Sequence, residues 1–240
     1  MVNANVPAGA GSRYFGKDLE AMSFAQNYHR WILSEFAPYL GQIVAEVGAG
    51  IGSFSRLLLD SGIARLVAFE PSTNMFPLLV QTLGADERAI AVNACFTPAG
   101  NELRFDSILY VNVLEHVQDH ATELTNAHAA LKAGGHLLLF VPALPWLYGS
   151  LDRQVGHYRR YKKGELVELV RHAGFDIVKA HYFDAAGIIP WYVAFVLLER
   201  PISAGSVSLY DRLVVPIART VERLLRPPIG KNLLLVARKS

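Results

Sequence analysis

An apolar run that breaks into closely spaced glycines constrains this chain more than any other feature. Ile43-Val44-Ala45 leads directly into Glu46-Val47-Gly48-Ala49-Gly50-Ile51-Gly52. A short continuous apolar run bounded by turn residues reads as a buried strand. Glycines suit the turn because they lack a Cβ and take positive φ, and Ser53 to Asp60 then reads as a helix. Strand, glycine turn and helix in that order bring backbone close to a nucleotide-like ligand. The spacing is G-x-G-x-G, and Ser53 stands where a dinucleotide fingerprint G-x-G-x-x-G would place its third glycine.

Two acids frame this turn. Glu46 lies two residues before the first glycine. A carboxylate there costs several kcal/mol to bury unless something pairs with it, and an amino-acid ammonium is a natural partner. Glu70 ends the next apolar run, Leu66-Val67-Ala68-Phe69. An acid roughly 20 residues past the glycines is placed to accept both ribose hydroxyls.

With these residues the chain resembles the class I S-adenosylmethionine-dependent methyltransferases, whose E/D-x-G-x-G-x-G loop and following ribose acid look like Glu46 to Gly52 and Glu70. The resemblance extends through Phe105-Asp106-Ser107-Ile108-Leu109-Tyr110-Val111-Asn112-Val113-Leu114-Glu115-His116-Val117, similar to the family's fourth strand and the loop after it. It then reaches Leu131-Lys132-Ala133-Gly134-Gly135, like the L-K-x-G-G turn into strand five. It implies S-adenosyl-L-methionine as cofactor, held around Glu46, Gly48, Gly50, Gly52, Glu70, Pro71, Cys95 and Asn112. Asn112 would contribute its backbone carbonyl, and Cys95 reads as an inert small hydrophobe near the adenine pocket. "NYHRWI" at Asn27 to Ile32 resembles the entrance helix of a bacterial branch of the family, which makes Tyr28 a candidate to close over the methionine end of the cofactor; an aromatic of the helix core is the other reading.

A chain of 240 residues, 52% of them hydrophobic, can bury a large core and is short for two domains. Strands are expected at Gln42 to Val47, Arg65 to Phe69, Ala89 to Ala94, Asp106 to Asn112, His136 to Val141, Asp176 to Phe183 and Asn232 to Arg238, with helices mostly between the first five. That order implies an α/β, doubly wound, Rossmann-like sheet of seven strands. The resemblance adds an antiparallel last strand, which a nicotinamide-dependent Rossmann oxidoreductase lacks. The whole chain, 1–240, is read as a single domain. It has an entrance helix at about 17–40, with Tyr28, Trp31, Ile32 and Phe36 near helical spacing, and an inserted helical cap at about 184–231; residues before Gly16 read as loose. The single cysteine, Cys95, rules out an intramolecular disulfide and fits a reducing compartment. Met1 to Gly16 lacks the apolar core of a secretory signal, so a cytoplasmic location is expected. A formal charge of +2 makes no overall case for nucleic acid.

The cap has an unusual composition. Ala185 to Leu198 carries no charge, yet it is too short for a bilayer span and is interrupted by Pro190. Val207 to Arg226 sets Leu209, Leu213, Ile217, Val221 and Leu224 against Arg212, Arg219, Arg223 and Arg226. The readings are a helix packed on the core with a solvated basic face, or else a lid over an apolar substrate or a surface that rests on a membrane interface, which would be a peripheral membrane contact.

A second informative segment runs from Val141-Pro142-Ala143 through Asp152 to Gly156-His157-Tyr158-Arg159-Arg160-Tyr161. It begins at the carboxyl end of a strand, where doubly wound sheets bind ligands, and resembles a GHxRRY pattern of the same bacterial branch. His157 is a candidate base, since an unperturbed imidazole titrates near neutrality; a structural histidine held by Asp152 is the alternative. Arg159 and Arg160 are candidates to grip a carboxylate or phosphate of the substrate, with Tyr158 and His116 beside them, whereas solvent and a structural ion pair would equally account for two adjacent arginines. Glu115 is expected to cap or pair locally. His116 and His120, four apart, lack a third ligand in sequence, so no metal is expected. The loop Asn112-Val113-Leu114-Glu115 is not the N-P-P-Y-like motif of enzymes that methylate nucleic-acid or protein amines, which points to a small-molecule or lipid-like acceptor. Rival readings are the nicotinamide oxidoreductase and a non-catalytic, cofactor-binding, membrane-associated protein. Oligomeric state is not legible.

Overall fold

The computed structural model describes residues 25–98 and 103–240. Seven strands form one sheet: β1 Ile43–Val47, β2 Arg65–Phe69, β3 Ala89–Val92, β4 Phe105–Val111, β5 Leu131–Pro142, β6 Phe175–Phe183 and β7 Asn232–Lys239. The spatial order is β3-β2-β1-β4-β5-β7-β6. The pairs among β1 to β5 are parallel, while β7 runs antiparallel to both neighbours, with Leu138 opposite Val236 and Ala180 opposite Leu235. The antiparallel seventh strand is therefore as expected from the resemblance, and the strand order reverses between β1 and β4.

The helices are α1 Gln26–Phe36, α2 Ser53–Asp60, α3 Phe76–Leu83, α4 His120–Ala130, α5 Ser150–Val155, α6 Lys163–His172, α7 Ile188–Trp191, α8 Ala204–Leu213 and α9 Val215–Leu224, with a π-helical stretch at Tyr192–Leu197. Both faces of the sheet are covered. Because strand side chains alternate, Ala45, Ile108, Tyr110, Leu137, Leu139 and Leu235 join one core with Leu124 of α4 and Val170 of α6. Val44, Leu109, Leu138, Phe140, Leu234 and Val236 join the other. There they meet Trp31, Ile32 and Phe36 of α1 and Leu58 of α2. Strands buried on both faces explain the near-continuous apolar runs in the sequence.

Several boundaries differ from the sequence expectation: β5 begins at Leu131 rather than His136, and β3 ends at Val92 rather than Ala94. The entrance helix ends at Phe36 in a tight turn, Ala37–Tyr39, that holds Pro38; the expected residues 17–24, like the stretch before Gly16, lie outside the described residues. Strand β4 stops at Val111 because Asn112 takes φ 54°, a left-handed conformation that asparagine tolerates better than most residues. The amphipathic stretch Val207 to Arg226 is two helices, broken where Pro216 enters the first turn of α9. Among the described residues, no helix is long and apolar enough to cross a membrane.

The segment between β6 and β7 is tied to the rest by buried acids. Asp211 of α8 accepts the N–H groups of Asn27 (3.0 Å) and Tyr28 (2.8 Å), supplying the cap that Ala25 cannot give α1. Glu222 of α9 likewise accepts from the backbone N–H groups of Asp184 and Ala185.

Candidate functional site

A cavity opens at the carboxyl ends of β1, β4 and β5, beside the point where strand order reverses. Open parallel sheets bind ligands at this position. The glycine turn forms its floor. Gly48, Gly50 and Gly52 have φ 69°, 57° and 84°, and the N–H groups of Gly48 and Ala49 donate to Phe69 O of β2. Gly48 packs so tightly that a Cβ would lie 2.6 Å from Val113 Cγ2, and at Gly52 a Cβ would press on Leu79 and Thr82. These two glycines thus serve close packing of the turn on β4 and α3.

Glu46 lines the cavity, is buried, and accepts a hydrogen bond from Ser55 Oγ of α2. Burial pushes its carboxyl up to about 8; the Ser55 hydrogen bond pulls against that, and Glu70 adds repulsion. A cation placed in the cavity would favour the ionised form. This is the property expected of a group that receives an ammonium.

Glu70 is placed differently from the sequence expectation. Its Oε2 accepts from Gly50 N (2.7 Å) and its Oε1 from Ser72 N (2.8 Å), so it clamps the glycine turn to the end of β2, and it does not line the cavity. A carboxylate offers about four lone-pair sites, so two remain for a ligand's hydroxyls. Pro71 and Cys95 do not line the cavity either; Cys95 is half-buried and burial raises its thiol, with Glu123 and Glu70 adding to the effect.

Tyr28 belongs to the core, with edge-on contacts to Trp31, Phe140 and Phe183, and to the cavity wall, where its hydroxyl donates to Asn232 Oδ1 (3.0 Å). Asn112 lines the cavity at the tip of β4.

The opposite wall is built by the segment from Gly149 to Tyr161. Asp152 is fully buried and collects three donors: Gly149 N on Oδ2 (2.9 Å), and His157 Nδ1 (2.7 Å) and Arg160 Nε (2.9 Å) on Oδ1. Burial acts to raise the Asp152 carboxyl, but the His157 hydrogen bond, the Arg160 charge and the Gly149 N–H outweigh it, and its pKa falls below the ordinary carboxylate value. An ionised carboxylate only accepts, so His157 carries a proton on Nδ1, facing Asp152. Its Nε2 is 3.8 Å from Glu115 Oε1, and the His157 and His116 rings meet edge-on at 4.5 Å. Glu115 is wholly buried and, among the described residues, neither carboxylate oxygen has a hydrogen-bond partner; burial lifts it to about 7 against the pull of His157 and Arg160. Burial together with the nearby His157 lowers His116 to about 3, so its imidazole is neutral.

One atom each from Glu115, His116 and His157 fall within 4.8 Å of one another. Spacing alone paired His116 with His120, but His120 instead bonds Tyr161 Oη (3.0 Å). Three converging donors are what a metal ion needs, and a histidine oriented by a carboxylate serves equally as a proton acceptor.

The two arginines separate. Arg160 is buried against Asp152, donates to Ala143 O (3.1 Å) and stacks 4.5 Å from the Trp191 ring centroid, touching the cavity from within a structural ion pair. Arg159 donates to Gln118 O (2.9 Å) and Tyr158 is exposed; neither lines the cavity. The sequence reading missed Lys231 and Asn232 at the start of β7, His29 of α1 and Trp191 of α7, all of which line the cavity. Lys231 pairs with Asp184 Oδ2 (3.0 Å) and lies 5.2 Å from the ring centroids of Tyr28 and Trp191.

Comparison with known proteins places these features in context. A family model described as a methyltransferase domain matches residues 22–180. A ubiquinone biosynthesis O-methyltransferase of Cereibacter sphaeroides is 25% identical over 195 residues, covering 73% of this chain and 76% of the relative. Among solved structures, Burkholderia thailandensis 1,6-didemethyltoxoflavin-N1-methyltransferase, with bound 1,6-didemethyltoxoflavin and S-adenosylhomocysteine, superposes with a TM-score of 0.57 at 23% identity over 94% of this chain and 82% of that one. Haemonchus contortus phosphoethanolamine N-methyltransferase 2, with S-adenosyl-L-methionine, gives 0.61 at 18% identity over 93% of this chain and 57% of that one.

Proposed function

Because this chain belongs to the methyltransferase-domain family, we propose that it transfers a methyl group from S-adenosyl-L-methionine to a hydroxyl of a small-molecule or lipid-like acceptor. The observation that carries this reading is a single cavity with Glu46 on one wall and the Asp152–His157 pair on the other. Bound there, the cofactor supplies an electrophilic methyl carbon on a sulfonium. Glu46 is the partner for its ammonium, Asn112 and the glycine turn form the bed beneath it, and Glu70 holds that turn in shape with lone pairs to spare for ribose hydroxyls. His157 Nε2 takes the acceptor's proton while Asp152 fixes the ring and stabilises the imidazolium. Apolar walls from Phe54, Leu151, Val155 and Trp191 suit an acceptor with an apolar body and keep water from the reacting centre.

Two observations favour this over a nicotinamide oxidoreductase: the antiparallel β7 and Ser53 in place of a third glycine.

The test is transfer of labelled methyl from S-adenosylmethionine into a cell extract containing both soluble and lipid fractions. His157→Ala should lower transfer by about 10²–10⁴-fold, the range a general base contributes, while cofactor affinity is retained. The fold should persist, because Arg160 and Gly149 still satisfy Asp152. Unchanged transfer in a folded His157→Ala protein would remove the histidine from proton transfer.

A further inference from the structure

Helix α9 is built inside out. Its packing side carries Val215 and Ala218, both buried, with the partly buried Glu222. Its larger apolar residues, Ile217, Val221 and Leu224, fall at i, i+4 and i+7 on one face and are 67%, 49% and 78% exposed. A helix facing only water buries its large apolar residues and exposes its polar ones. Helix α8, which packs on α9, repeats the pattern: Asp211 is buried while Leu209 and Leu213 are exposed. The same inserted segment exposes Ile189 and Leu197 farther up the chain. Single exposed apolar residues need no explanation, but a concentration of this kind marks a surface that meets something apolar.

Charge identifies the occupant. The acids of α8 and α9 are engaged inward, Asp211 on α1 and Glu222 on the backbone after β6. The charges these two helices present to solvent are Arg212, Arg219 and Arg223. On the helical wheel Arg212 borders the Leu209–Leu213 face of α8, while Arg219 and Arg223 lie on the flank of α9 away from Ile217, Val221 and Leu224. An exposed apolar surface, outward charges that are all arginine and helices of ten residues each, too short to span, match an element lying in the plane of a membrane interface. We infer that α8 and α9 form a docking surface for an anionic phospholipid bilayer. The segment lies beyond residues 22–180 matched by the family model, and its inner residues Trp191, Ile202 and Lys231 wall the cavity. The inserted segment that carries the surface therefore also contributes to the wall of the site.

The test is sedimentation of the full chain with vesicles of phosphatidylcholine alone and of equimolar phosphatidylcholine and phosphatidylglycerol, at low and high salt. The wild type should pellet with the mixed vesicles, remain in solution with the neutral ones, and be released by salt. Arg212→Gln with Arg223→Gln should weaken binding about 30-fold, the equivalent of about 1 kcal/mol for each basic residue at the surface. Ile217→Glu with Leu224→Glu should abolish it. Both pairs are exposed, so circular dichroism and the melting temperature should match the wild type. Two results would overturn the inference. One is a full chain that stays in solution with both vesicle types; the other is a wild-type dimer that Ile217→Glu with Leu224→Glu converts to monomer, which would make a second copy the occupant. No methyl transfer is read, so the outcome is independent of the proposed reaction.

Discussion

Arg160→Ala should melt roughly 6–20 °C below the wild type, a loss of about 3–5 kcal/mol in a chain of this size. The effect is large because the substitution strands a charge. Asp152 and Arg160 are buried together, and Asp152 sits below the ordinary carboxylate pKa partly because of the arginine. Removing the guanidinium leaves the carboxylate in a low-dielectric wall with His157 and Gly149 N, and vacates the face of Trp191. Arg160→Lys should recover only part of the loss, since an ammonium cannot reproduce a planar group that bonds Asp152 and Ala143 O while stacking on an indole. Arg159→Ala, by contrast, should melt close to the wild type, because its guanidinium is half-buried, bonds the Gln118 carbonyl, lies over the Tyr158 ring and strands no buried charge when removed. Chemical denaturation of the three variants measures this directly. Equal stability for Arg160→Ala and the wild type would return Arg160 to the role of an acceptor grip.

Gly48→Val combines two penalties at one residue. A left-handed conformation costs about 1–2 kcal/mol for a residue with a Cβ, and overpacking about 1–3 kcal/mol more. Both apply, since Gly48 has φ 69° and its Cβ would sit 2.6 Å and 2.9 Å from the two methyl carbons of Val113. Relief requires the turn to lift from β4, which displaces Glu46 and Asn112 on either side of the cavity. Cofactor binding should therefore fall further than stability does. Gly62→Ala is the control: φ is 90° there and a Cβ would meet nothing within 4 Å, so only the conformational penalty remains and cofactor affinity should hold. Normal binding by Gly48→Val would show that the turn does not form the floor of the site.

The parts of this arrangement that were legible in the sequence are those written in short-range pattern. Residues 43–52 encode strand, acid and turn within ten positions, and the apolar runs of β1, β2, β4, β5 and β7 announce strands buried on both faces. Long-range placement was less accessible. Lys231 and Asn232 reach the cavity only because β7 inserts between β5 and β6, a pairing no local signal marks. Arg159 and Arg160 look equivalent as neighbours, but the extended pairing of Tyr161 with Ala143 sends successive side chains to opposite sides. One meets Asp152 and the other meets solvent. Glu70 was correctly located at the tip of β2, whereas its hydrogen bonds to Gly50 and Ser72 depend on how the turn folds back. Periodicity likewise identified α8 and α9 as amphipathic without revealing that their apolar residues face outward.

Calorimetric titration of S-adenosylmethionine into the wild type and into Glu46→Gln tests the central claim most directly. The wild type should show saturable one-site binding, and S-adenosylhomocysteine, which keeps the amino-acid moiety, should bind as well. Glu46→Gln removes a charged hydrogen bond to the ammonium worth about 1.5–3 kcal/mol, so affinity should fall about 10- to 100-fold while the protein stays folded. Saturable binding of a nicotinamide dinucleotide with no heat from S-adenosylmethionine, or S-adenosylmethionine affinity unchanged in Glu46→Gln, would contradict the account.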